Sequence, residues 1–537
     1  MTTKNVLFIM CDQLRLDALS CFGTSEIGTT TPNIDALARR GVRFDRAYAQ
    51  GAVCGSSRMS FYTGRYVQSH GARWNMIPLN VGEQTLGDYV RPLGVRPVLV
   101  GKTHHFLDQQ AFRRLGLTRD SPEAIFSSEC GFDPELRDDG LHPDQMARHE
   151  LPYNVYLREL GYEGENPWHS AANGVIDENG AGLSGWFLKS SRFPAIVAEE
   201  HSETAYMTNR AIDYIGRAGD QPWCLHLSYI KPHWPYVAPA PYHQAYSRGD
   251  LPEPNRAADE LDSDHPVIRA LQRSRVGSTF SDDAVRDTVY PAYLGLVKQI
   301  DHHIGRLMAF LQNTGRLDDT LIVLTSDHGD YLGDHWMGDK DYLHDEIVRI
   351  PLIVVDPSPA AERSRGSINH ELVESIDLVP TFIDALGGDL DESANWLEGQ
   401  SLLPLLGGGA WKSRQAVFSE TDYGFTEMVH DLPDGPDPMR CRATMVRTNR
   451  FKYIFHELYP PQLFDLANDP HERIDLGREA GYEPIRREHQ DLLFEWFRHR
   501  KHSPTIAVGL PERVNRRGAQ AARGVLIGYW DQEHLDS

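Results

Sequence analysis

Along much of this chain a short apolar run meets a polar stop, and a stretch with apolar residues three and four apart follows. Residues 6–10 (VLFIM) are the first such run, halted by Cys11-Asp12-Gln13. Runs of this kind, bounded by turn residues, read as strands buried on both faces. The same reading gives strands at 96–100, 223–229, 321–324 and 350–355. Helices are predicted at 31–38, after a Pro32-Asn33 turn, and at 203–215. A third spans 293–311, with Leu296, Ile300, Ile304, Leu307 and Leu311 on one face, and a fourth spans 375–386, stopped by Gly387.

Strands alternating with helices predict an α/β fold: a large central, mostly parallel sheet flanked by helices. Between 108 and 200 the period is lost and Gly, Pro, Asp and Glu dominate, which reads as a long insertion or lid. After Gly407 the texture changes. Short alternating runs at 416–418, 443–447 and 451–455, with Asn449-Arg450 at a turn, predict a small antiparallel sheet. A closing helix is expected at 485–499, opened by Pro484. The expected organisation is a catalytic α/β domain over 1–407, a smaller α+β domain over 408–502 and a C-terminal arm over 503–537. Ile506, Val508, Val525, Leu526, Ile527 and Trp530 make that arm too apolar for a free tail. It predicts packing against a partner subunit in a homo-oligomer, a dimer or tetramer.

Composition adds constraints. At 537 residues, the chain has room for a large core plus a smaller partner domain. Its net charge of −22 disfavours nucleic acid and anionic membranes. Any site for an anion must therefore gather its positive charge locally. The first apolar run is too short for a signal peptide and is followed at once by Asp12, and no stretch is long enough to span a bilayer. A cytoplasmic protein is expected. The six cysteines are scattered with no C-x-x-C pair, so no disulfide framework is expected. Cys11, Cys21 and Cys224 lie in or near apolar runs and read as core.

The chemistry gathers at strand ends. Asp12 and Gln13 close the first strand, Lys102 and His104 the second, His233 follows the third, and Asp327 and His328 close the fourth. The C-terminal edge of a parallel sheet is where ligands bind, so convergence there would build a metal site ringed by basic residues. Asp12, Gln13 and Asp327 offer hard oxygen ligands and His328 an imidazole. Such a set suits one divalent ion, Mn²⁺ or Ca²⁺ ahead of Mg²⁺. Cys54 stands apart from the other cysteines. Its flanks, Val53-Cys54-Gly55-Ser56-Ser57-Arg58, are mostly small or polar, which suits a core cysteine poorly.

Cys54-Gly55-Ser56-Ser57-Arg58, followed by Thr63-Gly64-Arg65, resembles the modification motif of type I sulfatases, in which a separate enzyme oxidises the cysteine to formylglycine. Ser56 stands where proline is commonest. Other stretches fit the same family: Thr31-Pro32-Asn33-Ile34-Asp35, Gly101-Lys102-x-His104, Lys231-Pro232-His233-x-Pro235, Thr325-Ser326-Asp327-His328-Gly329 and Arg349-Ile350-Pro351-Leu352. Later come Asp377-Leu378-x-Pro380-Thr381, Gly399-x-Ser401-Leu402-Leu403 and Leu463-Phe464-Asp465-Leu466-x-x-Asp469-Pro470-x-Glu472. The resemblance covers about residues 4–480 and implies the alkaline phosphatase superfamily. Gln13, where many sulfatases carry Asp, His328, where many carry Asn, and Asn75 look like the phosphonate monoester hydrolase branch. Lys102 and His104 look like the sulfatase pattern.

The resemblance implies roles. Asp12, Gln13, Asp327, His328 and position 54 hold the metal. The hydrated formylglycine attacks the ester, and Arg58 steadies it. Lys102 and Lys340 bind the oxygens of the transferred group, His233 protonates the leaving oxygen with help from Lys340, and Asn75 touches substrate. His104 then takes the proton that lets the aldehyde re-form and expel sulfate. The activity implied is hydrolysis of small anionic esters: sulfate monoesters first, with phosphonate monoesters or phosphodiesters as the alternative. An unmodified, anion-binding relative without turnover is a third reading.

Overall fold

The first apolar run becomes the middle of strand β1 (Asn5–Asp12), every residue of which is buried. The structure, a computed structural model, describes residues 3–23, 30–118, 121–145, 150–391 and 395–501. The arm expected at 503–537 lies outside the described residues. The remaining strands are β2 (Val42–Tyr48), β3 (Arg96–Gly101), β4 (Asp133–Arg137), β5 (Gly174–Ile176), β6 (Gly182–Ser184), β7 (Trp223–Pro232), β8 (Thr320–Ser326) and β9 (Arg349–Val355). They continue with β10 (Ile368–Asn369), β11 (Val373–Glu374), β12 (Val417–Thr421), β13 (Ala443–Arg447), β14 (Phe451–His456) and β15 (Gln462–Asp465).

The main sheet has nine strands in the order β10-β2-β9-β8-β1-β7-β3-β4, with β11 also on β2. β1 lies at its centre, parallel to β7 and β8, and β9 alone runs against its neighbours. The sheet is thus mostly parallel, as the strand and helix alternation predicts. Alternate residues enter opposite cores. Leu7 and Ile9, with Leu225, Leu227, Ile322 and Leu324, pack with the helices Glu203–Arg217 and Asp283–Asn313. Val6, Phe8 and Met10, with Leu321 and Val323, pack with Cys54–Thr63 and Leu378–Ala385.

Several elements differ from the sequence reading. β2 went unseen because Arg43, Asp45 and Arg46 interrupt it; one neighbour is the short β10, so these side chains stay half-exposed. Residues 108–200, expected as a long insertion or lid, contain elements the sequence did not show. They hold the helices Gln109–Leu115, Pro122–Ser128 and Pro152–Glu159, the β5–β6 hairpin, and β4, which extends the main sheet beside β3. Elements this short hold about two turns or fewer, too little for a period to be legible. The helix expected at 293–311 begins earlier, at Asp283, capped by the Asp282 side chain.

The C-terminal sheet is antiparallel, in the order β12-β13-β14-β15. One face packs Phe418, Val446, Tyr453 and Leu463 on the helix Glu483–Arg498. The other packs Val417, Met445, Ile454 and Phe464 against Tyr342, Leu343 and Ile347 of the preceding chain.

Candidate active site

Cys54 is the first residue of a helix, Cys54–Thr63, whose ten residues are all buried. The chain arrives extended at Val53 and turns into the helix beside residue 75. The Gly55 N–H donates to Asn75 Oδ1 at 2.8 Å. A Cβ at Gly55 would fall 2.9 Å from Asn75 Cα, so the approach requires glycine. This helix start points at the C-terminal ends of β1 and β8, which run in parallel register with Cys11 opposite Ser326.

Around Cys54 Sγ the strand ends converge. His328 Nε2 lies 3.1 Å away, Lys340 Nζ 3.4 Å and Asp12 Oδ1 3.5 Å. One ligand atom from each of Asp12, Cys54, Asp327 and His328 falls within 4.8 Å of all the others. Arg58, one helical turn after Cys54, reaches back beneath the site. Its Nε donates to Asp327 Oδ2 at 2.8 Å and its Nη2 to Asp12 Oδ2 at 2.9 Å. Nη1 donates to Ser228 Oγ and to the Lys102 carbonyl. Lys102 Nζ pairs with Asp12 Oδ2 at 2.6 Å. The planar fork of arginine gives each carboxylate its own nitrogen and leaves a third for Ser228 and the Lys102 carbonyl.

Gln13 sits in the left-handed region (φ 65°) where the chain leaves β1. Its N–H donates to Asp327 Oδ1, its Oε1 accepts from Lys340 Nζ at 3.0 Å, and its Nε2 donates to Asp330 Oδ2 at 2.6 Å. Lys340 also donates to His233 Nε2 at 3.0 Å, while His233 Nδ1–H donates to the Trp234 carbonyl. His104, also left-handed (φ 58°), is held at its backbone N–H by Asp139 Oδ1 at 2.9 Å.

The electrostatics favour an anion at position 54. Burial alone would push the Cys54 thiol up, but Lys102, Lys340 and His328 outweigh it, and with help from His104 hold it far below its usual range. The sulfur here stands where the family's modified side chain would present oxygen. Burial opposes charge on His328, yet Asp327 and Cys54 push it up to about 9. Burial and the Lys340 ammonium both keep His233 neutral.

The residues present fit a divalent cation. Two buried carboxylates and an imidazole face one point, and the Nδ1–H of His328 donates to the Gly329 carbonyl at 2.8 Å, turning Nε2 inward. The proton that raises His328 occupies the place a metal would take, so binding a cation would release it.

Every site residue singled out from the sequence is thus found in this neighbourhood, with Asn75 bracing the helix start and lining the mouth of the cleft. That cleft, of about 470 Å³, opens beside Lys340 and is walled by Trp74, Leu271, Val276, Met337, Phe425 and Met428. Trp74 and Phe425 stack with centroids 5.9 Å apart. Sequence reasoning missed Ser228, which holds Arg58, Asp139, which holds His104, and Tyr236 and Asp330, which share Gln13 Nε2. Only Asp330, three residues after Asp327, carried any signal. Cys54 is itself buried, but among charges rather than apolar groups. All six cysteines are free, and His70 has a structural role, bonded to Ser60 Oγ and the Ala72 N–H.

Residues 4–388 match the Sulfatase family, and residues 333–498 match the C-terminal domain of N-sulphoglucosamine sulphohydrolase. The multifunctional alkaline phosphatase superfamily protein PehA of Trinickia caryophylli is 31% identical over 528 residues, spanning 92% of this chain and 95% of that one. An arylsulfatase of Clostridium perfringens is 26% identical, over 89% and 91% of the two chains. Among solved structures, the phosphonate monoester hydrolase of Silicibacter pomeroyi superposes with a TM-score of 0.79 at 30% identity, covering 93% of this chain and 96% of that one. That of Agrobacterium radiobacter gives 0.78 at 28%, with the same coverage. Among the described residues no helix is long and apolar enough to cross a membrane. The chain belongs to the sulfatase family, a group of hydrolases acting on sulfate esters whose relatives here include phosphonate monoester hydrolases.

Proposed function

We propose that this protein hydrolyses small monoanionic tetrahedral esters at position 54, sulfate monoesters and phosphonate monoesters alike. The observation that carries the reading is the buried cluster of Asp12, Cys54, Asp327 and His328 with two lysines pressed against it. One divalent ion, held by Asp12, Gln13, Asp327 and His328, and a formylglycine made from Cys54 would supply the Lewis acid and the nucleophile.

The chain's own residues supply the rest. Arg58 is spent on Asp12 and Asp327, so it orients ligands instead of binding substrate. Lys102 and Lys340 face the oxygens of the transferred group, where they stabilise charge as it builds. His233 is neutral and accepts from Lys340, so the pair shares one proton beside the leaving oxygen, and that proton rests on Lys340 in the ground state. His104, held by Asp139, is placed to take a proton from position 54. The apolar walls of the cleft suit an aryl or other apolar group on the ester, with Asn75 at the rim.

The phosphonate reading draws on one particular observation: both phosphonate monoester hydrolases superpose over nearly the whole chain. Sulfate monoesters and phosphonate monoesters each carry a single negative charge on a tetrahedral centre, so one site can serve both. The test pairs two measurements. The peptide containing Cys54, taken from protein made in its own host, should be lighter by about 18 Da, the difference between thiol and aldehyde. The purified enzyme should turn over both 4-nitrophenyl sulfate and 4-nitrophenyl phenylphosphonate. Turnover with Cys54 wholly unmodified would overturn the mechanism.

A further inference from the structure

Lys340 sits in a segment, residues 338–344, that belongs to no helix or strand. Both its neighbours, Asp339 (φ 59°) and Asp341 (φ 85°), are left-handed, a conformation that costs non-glycine residues free energy and persists only where the surroundings impose it. Asp339 is held by the Tyr331 N–H on its carbonyl and Gln13 Nε2 on its Oδ1, while from Asp341 onward the segment is held by the C-terminal sheet. The Asp341 carbonyl accepts from Thr421 Oγ1 of β12 at 2.9 Å. Tyr342 OH meets His456 Nε2 of β14 at 2.9 Å and also bonds Gln462 of β15. The Leu343 carbonyl accepts from Lys452 Nζ of β14 at 3.2 Å, and Asp345 Oδ1 pairs with the same ammonium at 2.6 Å. Glu472 completes the set: its Oε1 pairs with Lys452 at 2.6 Å and its Oε2 accepts the Asp345 N–H at 2.6 Å. Lys452 is fully buried and Glu472 nearly so.

We infer that the C-terminal sheet is a template for the proton-donating lysine of the active site, and that Lys452 and Glu472 are positioning residues that act through Asp345 and the 341–345 segment on Lys340. This assigns a purpose to the Asp469-Pro470-x-Glu472 motif, which none of the chemistry at Cys54 uses. The turn through Asp469 and Pro470 returns the chain from β15 so that Glu472 lies under Asp345. Position matters because Lys340 must satisfy Gln13, His233 and the leaving oxygen at once, and misplacement by a fraction of an ångström weakens all three.

The inference rests on the reading that Lys340 and His233 protonate the leaving group, and the experiment separates the two. Rates are measured on 4-nitrophenyl sulfate, whose leaving group scarcely needs a proton, and on phenyl sulfate, which does. Lys340→Ala is the control: both rates should fall with the loss of its charge beside the transferred group, and the rate on phenyl sulfate by about a further hundredfold. Lys452→Met, in the metal-loaded enzyme, should show the same selective loss with unchanged metal content. If Lys452→Met fails to fold, Tyr342→Phe, which removes two bonds to the segment, and Thr421→Val, which removes one, should show it in reduced form. A variant set that loses both activities in parallel, or neither, while Lys340→Ala stays selective, overturns the template. If Lys340→Ala itself shows no selectivity, the proton-donor reading fails and takes the template with it.

Discussion

Two clusters of buried charge, joined through residues 340–345, do opposite work. At Cys54, Arg58 and Lys102 grip Asp12 and Asp327, yet ligand atoms of both carboxylates, His328 and position 54 still converge on one point. Beneath the 341–345 segment, Lys452 is enclosed by Asp345, Glu472 and the Leu343 carbonyl, and although Glu472 borders a cleft, both carboxylates are spent on that one ammonium. The first cluster keeps coordinating capacity in reserve; the second is closed. Burial and ion pairing alone therefore do not mark a catalytic site. Unspent ligand atoms beside an opening do.

Breaking each cluster should give different signatures. The largest effect is expected at Cys54. Replacement by Ala or Ser should lower turnover by about 10⁴-fold or more, with little change in thermal stability, since the substitution removes one small buried atom; wild-type rates for Cys54→Ser would sink the mechanism. Dialysis against a chelator should abolish turnover comparably, and Mn²⁺ or Ca²⁺ should restore it; full activity in metal-free protein would contradict the ligand assignment. Lys452→Met should show the reverse balance. Removing the ammonium that pairs with two buried carboxylates should cost about 3–5 kcal/mol of stability, read by denaturant unfolding, while chelation leaves that penalty unchanged. His233→Gln should cost about a hundredfold on phenyl sulfate and less on the nitrophenyl ester. The smallest effect belongs to the cleft wall: Trp74→Ala should raise KM for aryl esters by about tenfold, roughly 1–2 kcal/mol of lost apolar contact, and leave kcat nearly alone. An equal change for a short alkyl sulfate would show that the stack does not select the aryl group.

The position of the site was legible because parallel strands announce themselves. β1, β7 and β8 are buried on both faces, so each reads as a mainly apolar run, interrupted in β7 only by His226 and Ser228 before Lys231, and a cluster of polar residues follows its end. Those ends carry Asp12, Gln13, His233, Asp327 and His328. The motif at Cys54 added the nucleophile. β2 and β4 were hidden for the converse reason: near the sheet edges, half-exposed charged residues break the run.

The sequence by itself determined the class of fold, the strand ends that carry ligands and the chemistry those residue types can perform. Only the tertiary structure decided what holds them there. Asp139, Ser228, Tyr236, Lys452 and Glu472 lie tens to hundreds of residues from the groups they position, joined to them by single hydrogen bonds or ion pairs. A local pattern records which face of an element is apolar, because burial repeats with the period of the element. It records nothing of which distant side chain meets which, because a hydrogen bond across the fold needs only one residue at each end and leaves no period to read.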